Sequence, residues 1–147
     1  MMYNGKGTDR NVVIDTNCVV QILGKHSLYH AIWKAFISKQ FTWCISNEIL
    51  SEYEEILTDK ASSKVSELFT QLLMQSSNVR RVEPYFRFHL IHQDEDDNKF
   101  VDCAIIAGAD YIVSEDSHFR ILKDIPFPRV NVISLNDFYN ELFNTYL

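Results

Sequence analysis

Short β-branched runs alternate along this chain with longer stretches whose apolar side chains return every three or four positions. Asn11-Val12-Val13-Ile14 predicts a strand, and its continuous apolar character is that of a parallel strand covered on both faces. Residues 18–38 read as helix, interrupted at Gly24, with Ser27 as the cap of the segment 28–37. Residues 41–45 are β-prone, and Ser46 or Asn47 then caps a helix running to about Leu57. After a break at residues 59–63, Val65, Leu68, Phe69, Leu72 and Leu73 mark a helix over 64–74. A third strand is expected at 78–82, followed by an irregular stretch over 83–93 that contains Pro84. A helix opening near Asp97 closes at Gly108, and Tyr111-Ile112-Val113 follows as a strand. A short helix at 117–122, a turn at 124–128, a strand at 130–133 and a Ser134-capped helix to about Phe143 complete the pattern. The order predicts an α/β fold: one domain over 11–147, with a central parallel β-sheet flanked by helices on both faces. Residues 1–10, polar with two glycines, read as a flexible leader.

This pattern places acidic residues where ligands bind in such folds. Asp15 follows the first strand and Glu115-Asp116 follows the strand 111–113, both at carboxyl ends bordering the crevice of an open α/β sheet. At about 100° per residue, Phe100, Val101, Ala104, Ile105 and Gly108 form a stripe centred close to Asp97, which therefore opens the buried face of its helix. Asp102 falls roughly 140° away by the same count and reads as solvated or as a residue at the edge of a site. On the helix after Ser46, the stripe of Ile49, Leu50, Tyr53, Ile56 and Leu57 leaves Glu48 and Glu55 opposite. Glu52 and Glu54 flank the stripe, and geometry alone does not choose between them. The plainer reading of Asp15 and of Asp97 is a helix cap.

Composition narrows the classes. The chain has 147 residues, 46% of them hydrophobic and 13% aromatic, with only four glycines and three prolines, as suits one compact core without staples. A net charge of −6 argues against coating nucleic acid by bulk electrostatics, but leaves room for an enzyme that meets it through bound cations. Lys99, Arg120, Lys123 and Arg129 are local basic candidates that ordinary surface charge also explains. Cys18, Cys44 and Cys103 are odd in number and apolar in setting, which predicts buried reduced thiols. His26 and His30 have the i, i+4 spacing of a metal pair but no third ligand, so surface histidines are expected. His89 and His92 precede the acidic cluster and are candidates for a catalytic base. No stretch has the length of a membrane span and no apolar signal segment opens the chain, so a cytoplasmic location is expected.

If Asp15, Asp97, Asp116 and a glutamate converge, repulsion is severe: two unit charges about 4 Å apart repel by roughly 4 kcal/mol at an effective dielectric near 20. Such a cluster protonates or binds cations, and an all-carboxylate cage suits Mg²⁺ or Mn²⁺ better than zinc. Ions of this kind activate water against a phosphodiester.

The segments Val13-Ile14-Asp15-Thr16-Asn17, Ser46-Asn47-Glu48-Ile49-Leu50-Ser51-Glu52-Tyr53, Asp94-Glu95-Asp96-Asp97-Asn98-Lys99-Phe100-Val101-Asp102 and Gly108-Ala109-Asp110-Tyr111-Ile112-Val113-Ser114-Glu115-Asp116 together resemble a PIN domain. The likeness runs over about residues 12–142 and is greatest to the bacterial group described as toxin components of toxin-antitoxin systems. It implies a Mg²⁺- or Mn²⁺-dependent ribonuclease in which Asp15, Glu52, Asp97 and Asp116 hold the metal and carry the chemistry, and it selects Glu52 over Glu54. It further implies Asn17 as a support of Asp15, Asp102 as a possible participant, an RNA substrate, a protein antitoxin and a homodimer. One departure is Ser114-Glu115-Asp116 in place of Thr-Gly-Asp or Thr-Asn-Asp, which sets Glu115 beside Asp116 as a competing ligand. A housekeeping RNA-processing nuclease and a weak or inactive protein-binding module are the alternatives. Phosphatases of the haloacid-dehalogenase type need a second aspartate where Asn17 stands, and response-regulator receivers need a lysine after the last strand, where Ser134 stands.

Overall fold

The computed structural model describes residues 10–91 and 95–143. His92 and Asp94, and all of the expected leader except Arg10, lie outside them. Among the described residues five strands, β1 (Asn11–Ile14), β2 (Thr42–Ile45), β3 (Val79–Arg81), β4 (Tyr111–Val113) and β5 (Val132–Ile133), form one sheet in the order β3-β2-β1-β4-β5, and their pairings are parallel. Six α-helices among the described residues connect or follow them: α1 (Thr16–Leu23), α2 (His30–Ile37), α3 (Asn47–Lys60), α4 (Ser63–Gln75), α5 (Asn98–Ala107) and α6 (Leu135–Phe143). Helices cover both faces, as the apolar strands predict.

The two faces can be told apart from β2. On one, the Trp43 ring meets Trp33 and Phe36 of α2, Tyr53 of α3 and Phe69 of α4, with ring centroids 5.2–6.4 Å apart. Phe41 joins this cluster to Phe138 of α6. Side chains alternate across a strand, and α5 covers the opposite face, packing on β1, β2 and β4. Val12, Val13 and Ile14 are all fully buried because both layers press on β1.

Local chemistry sets most of the boundaries. The Ile49 N–H donates to Ser46 Oγ at 3.3 Å, so Ser46 rather than Asn47 caps α3. Ser62 caps α4 through the Val65 N–H in the same way. Gly108 ends α5 at φ 66°, a left-handed conformation that costs glycine nothing. Several expected boundaries move: α1 opens at Thr16 rather than at residue 18, and β5 holds only Val132–Ile133 of the expected 130–133. α3 continues through Asp59 and Lys60, so the break narrows to residues 61–62, and α2 begins at His30 because Ser27 organises a turn, accepting the Tyr29 N–H at 3.0 Å, before the helix starts. The helix expected at 117–122 is a 3₁₀ helix, Ser117–Asp124.

The three cysteines are free and buried, as expected, and burial pushes the Cys18 and Cys44 thiols up to about 12 and about 11. His30 Nδ1 lies 3.0 Å from the Ile22 carbonyl oxygen and His26 is exposed. Among the described residues, no helix is long and apolar enough to cross a membrane.

The order in which strands are added to the sheet reverses between β1 and β4, so their carboxyl ends form the crevice in which an α/β sheet receives ligands.

Candidate active site

Asp15 leaves β1 into that crevice with only 6% of its surface exposed. It occupies the N-cap position of α1, yet its side chain makes no capping bond. Instead Oδ2 accepts a 2.8 Å hydrogen bond from Ser114 Oγ, which itself accepts from the Asp116 N–H at 2.9 Å. One serine at the end of β4 thus ties together the two acidic strand ends. Burial raises the Asp15 pKa first of all, the Ser114 bond opposes that rise, and the charges of Asp116 and Glu52 add to it. Asn17, expected to support Asp15, is exposed at the start of α1; among the described residues the side-chain hydrogen bond to Asp15 comes from Ser114.

Glu52 and Glu54 part company once α3 is packed. Glu54 is exposed, whereas both oxygens of Glu52 are engaged: Oε2 accepts from Thr16 Oγ1 at 2.5 Å and Oε1 lies 2.7 Å from Lys99 Nζ. Lys99 also donates to the Asp96 carbonyl at 2.6 Å, and its side chain is only 12% exposed. This lysine is therefore a built-in counterion at the edge of the acidic centre.

Asp97 stands at the junction of a 3₁₀ turn (Glu95–Asp97) with α5 and is buried, as the stripe on its helix predicts. Its side chain does not cap α5. Its Oδ2 lies 3.2 Å from His118 Nδ1, and the same nitrogen is 3.5 Å from Asp116 Oδ1. Asp116 Oδ1 also accepts the His118 N–H at 2.9 Å, so this carboxylate begins the 3₁₀ helix at Ser117. Glu115 turns the other way, its Oε2 accepting the Leu135 N–H at the start of α6 at 2.7 Å. Of the two neighbouring acids, Asp116 faces Asp97.

Of the two readings its helical angle allowed, solvated or at the edge of a site, Asp102 is not solvated, for it is 1% exposed. The segment between β3 and α5 lies over it, and the Phe88 N–H donates to its Oδ1 at 3.1 Å. Burial raises its pKa, against the Phe88 bond and the charges of Arg87 and His89. Asn98 pins the same segment by exchanging two hydrogen bonds with the Ile91 backbone, at 2.9 and 2.8 Å. His89 lines a small cavity with Arg87, Asp96, Lys99 and Asp102, outside the Asp97–Asp116 pair.

The donor chemistry suits a divalent cation. Asp97, Asp116 and His118 each offer one ligand atom, and these atoms lie within 4.8 Å of one another. Asp15 is near enough to feel the charges of Asp116 and of Glu52. Sequence reasoning missed three members of this centre: Thr16, Lys99 as the partner of Glu52, and His118. Lys99 stood out only as one scattered cation, and nothing in the local pattern around His118 signals its role.

The sequence model of the PIN domain family matches residues 11–118. Solved structures with a similar fold include a chain of VapBC2 from Rickettsia felis bound to a DNA fragment from their promoter. It is 17% identical, with 84% of this chain and 98% of that chain covered and a TM-score of 0.58. Mycobacterium tuberculosis VapC20, a Sarcin-Ricin loop cleaving toxin, is 14% identical over 74% of this chain and 92% of its own, with a TM-score of 0.55. The PIN domain endonuclease Utp24 is 16% identical over 87% and 86%, with a TM-score of 0.52. No curated protein sequence matches the chain.

Proposed function

The chain belongs to the PIN domain family, and from that premise we propose that it is a metal-dependent endoribonuclease whose centre comprises Asp15, Glu52, Asp97 and Asp116. The observation that carries this reading is the run of carboxylates at the crevice where the strand order reverses, Asp15 feeling the charges of Asp116 and Glu52, and Asp97 and Asp116 sharing the His118 nitrogen. Divalent ions, Mg²⁺ or Mn²⁺, are the cofactors that so concentrated a negative charge attracts. Asp15, Asp97 and Asp116 would hold the ion directly, with Glu52 adding its charge beside Asp15. When bound, the ion supplies activation of water and neutralises charge on the phosphodiester.

The chain's own residues do the positioning. Ser114 fixes Asp15 and the Asp116 backbone together, while Thr16 and Lys99 hold Glu52. Arg120 and Lys123 line one cavity with Ser114, Asp116 and Ser117, so an RNA backbone entering there meets cations beside the acidic centre. In-line attack by water expels the 3′-oxygen and leaves a 5′-phosphate and a 3′-hydroxyl. A histidine ribonuclease using His89 or His92 would drive the 2′-hydroxyl onto phosphorus and leave a 2′,3′-cyclic phosphate without any ion. Cleavage of a short single-stranded RNA with Mg²⁺ or Mn²⁺, with and without EDTA, and mass spectrometry of the ends separates the two. We expect 5′-phosphate products that vanish in EDTA; cyclic-phosphate products that persist in EDTA overturn the mechanism.

The glutamates give a second test. Glu52→Gln is expected to reduce cleavage by about tenfold or more, within the 10–100-fold range of residues that support a metal site, and Glu54→Gln to leave it within about twofold. Equal losses in single-turnover assays contradict the role given to Glu52.

We read the biological role as the toxin of a toxin-antitoxin pair, with a protein antitoxin as partner and a homodimer as the assembled form. The likeness to VapBC2 and VapC20 supports it, while the likeness to Utp24 keeps RNA processing as the alternative. Growth arrest on expression, relieved by co-expressing a small DNA-binding protein encoded next to it, is the expected outcome. Unimpaired growth of an RNA-cleaving protein favours processing.

A further inference from the structure

His118 is the one nitrogen donor in the group of Asp97, Asp116 and His118, and it is directed by its own position in the chain. The 3₁₀ helix that starts after Asp116 brings residue 118 back over the Asp116 carboxylate, and the ring turns Nδ1 rather than Nε2 toward the two aspartates, 3.2 and 3.5 Å away. The side chain is 39% exposed. Donor atoms within 4.8 Å of one another are spaced as two metal–ligand bonds of about 2.0–2.6 Å each would space them. An ion held there meets two carboxylates and an imidazole, not oxygen alone.

We propose that His118 is a direct ligand of the divalent ion through Nδ1, and that it biases the centre toward first-row transition ions such as Mn²⁺ over Mg²⁺. Mg²⁺ keeps a hard, near-octahedral shell of oxygen ligands and waters, whereas imidazole is a ligand of transition ions. The preference for oxygen-seeking ions drawn from an all-carboxylate cage is thus modified by a residue that only the folded chain brings in. The contact of Nδ1 with Asp97 is given up on binding, because a ring nitrogen that ligates an ion carries no proton. This inference rests on the nuclease reading for the presence of an ion, but not for the identity of the nitrogen ligand.

The test is binding of Mg²⁺ and of Mn²⁺, each alone, to the parent, His118→Ala and His118→Gln by calorimetry, with pulsed electron paramagnetic resonance of the Mn²⁺ samples. The parent is expected to show nitrogen hyperfine coupling from a bound imidazole and to bind Mn²⁺ more tightly than Mg²⁺. In either folded variant the coupling disappears and the Mn²⁺-to-Mg²⁺ affinity ratio falls about tenfold or more, at least the loss usual for an outer-shell partner. Ion binding by the parent without nitrogen coupling, or coupling that survives in a folded His118 variant, overturns the role of His118 and leaves the nuclease reading intact. Failure of the parent to bind either ion overturns both.

Discussion

Asp97→Asn and Asp15→Asn are each expected to lower metal-dependent RNA cleavage by more than about a hundredfold, beyond the 10–100-fold that loss of an outer-shell metal partner brings, while the protein stays folded. For Asp15 the sign of the stability change follows from its surroundings. Its pKa is raised in the folded chain, by burial first and then by Asp116 and Glu52 against the opposing Ser114 bond. A carboxyl with a raised folded pKa favours the folded state fully below its unfolded value, and that contribution is lost as pH rises through the folded value. At neutral pH the ionised Asp15 therefore works against folding in metal-free buffer. Asparagine removes the charge and keeps an oxygen to accept the Ser114 hydroxyl, so Asp15→Asn should raise Tm without metal while abolishing activity. Added Mn²⁺ should raise the Tm of the parent more than that of either variant, because an ion that binds only the folded state stabilises it. Parent-like cleavage by both variants would falsify the assignment, and a lowered Tm of Asp15→Asn in metal-free buffer contradicts the electrostatic account.

The largest expected loss of stability belongs to Trp43→Ala. Trp43 is fully buried between Trp33, Phe36, Phe41, Tyr53 and Phe69, and truncation of such a side chain costs about 3–5 kcal/mol. Its effect reaches the active centre through two hydrogen bonds. Trp43 Nε1 donates to Tyr53 Oη at 3.2 Å, and Tyr53 Oη donates to the Ile14 carbonyl at 2.5 Å, immediately before Asp15. Without the indole, Tyr53 loses a partner and the ring cluster that seats α2 and α4 on the sheet opens a cavity. Urea denaturation should show the loss directly. A change below about 1 kcal/mol, the net value of a single hydrogen bond, would mean that the cluster refills the space.

Local pattern along the chain is enough for the frame. The strands β1 and β4, the helix ending at Gly108 and the delivery of Asp15 and Asp116 to strand ends follow from local pattern, because strand alternation, helical period and capping chemistry act over a few residues. The burial of Asp97 was legible for the same reason, as a carboxylate on the apolar stripe of its own helix. Tertiary structure decided which side chains share the centre. Glu52 differs from Glu54 through contacts with Thr16 and Lys99, residues 36 and 47 positions away in the chain. Glu115 differs from Asp116 because the start of α6, twenty residues on, supplies an N–H to one of them. Asp102 is buried by a segment whose path no helical angle contains, and His118 enters because Asp97, twenty-one residues earlier, is brought against it. A periodic pattern states the direction in which a side chain leaves its element, but a hydrogen bond or an ion pair depends on what stands at the other end, and packing of separate elements alone sets that.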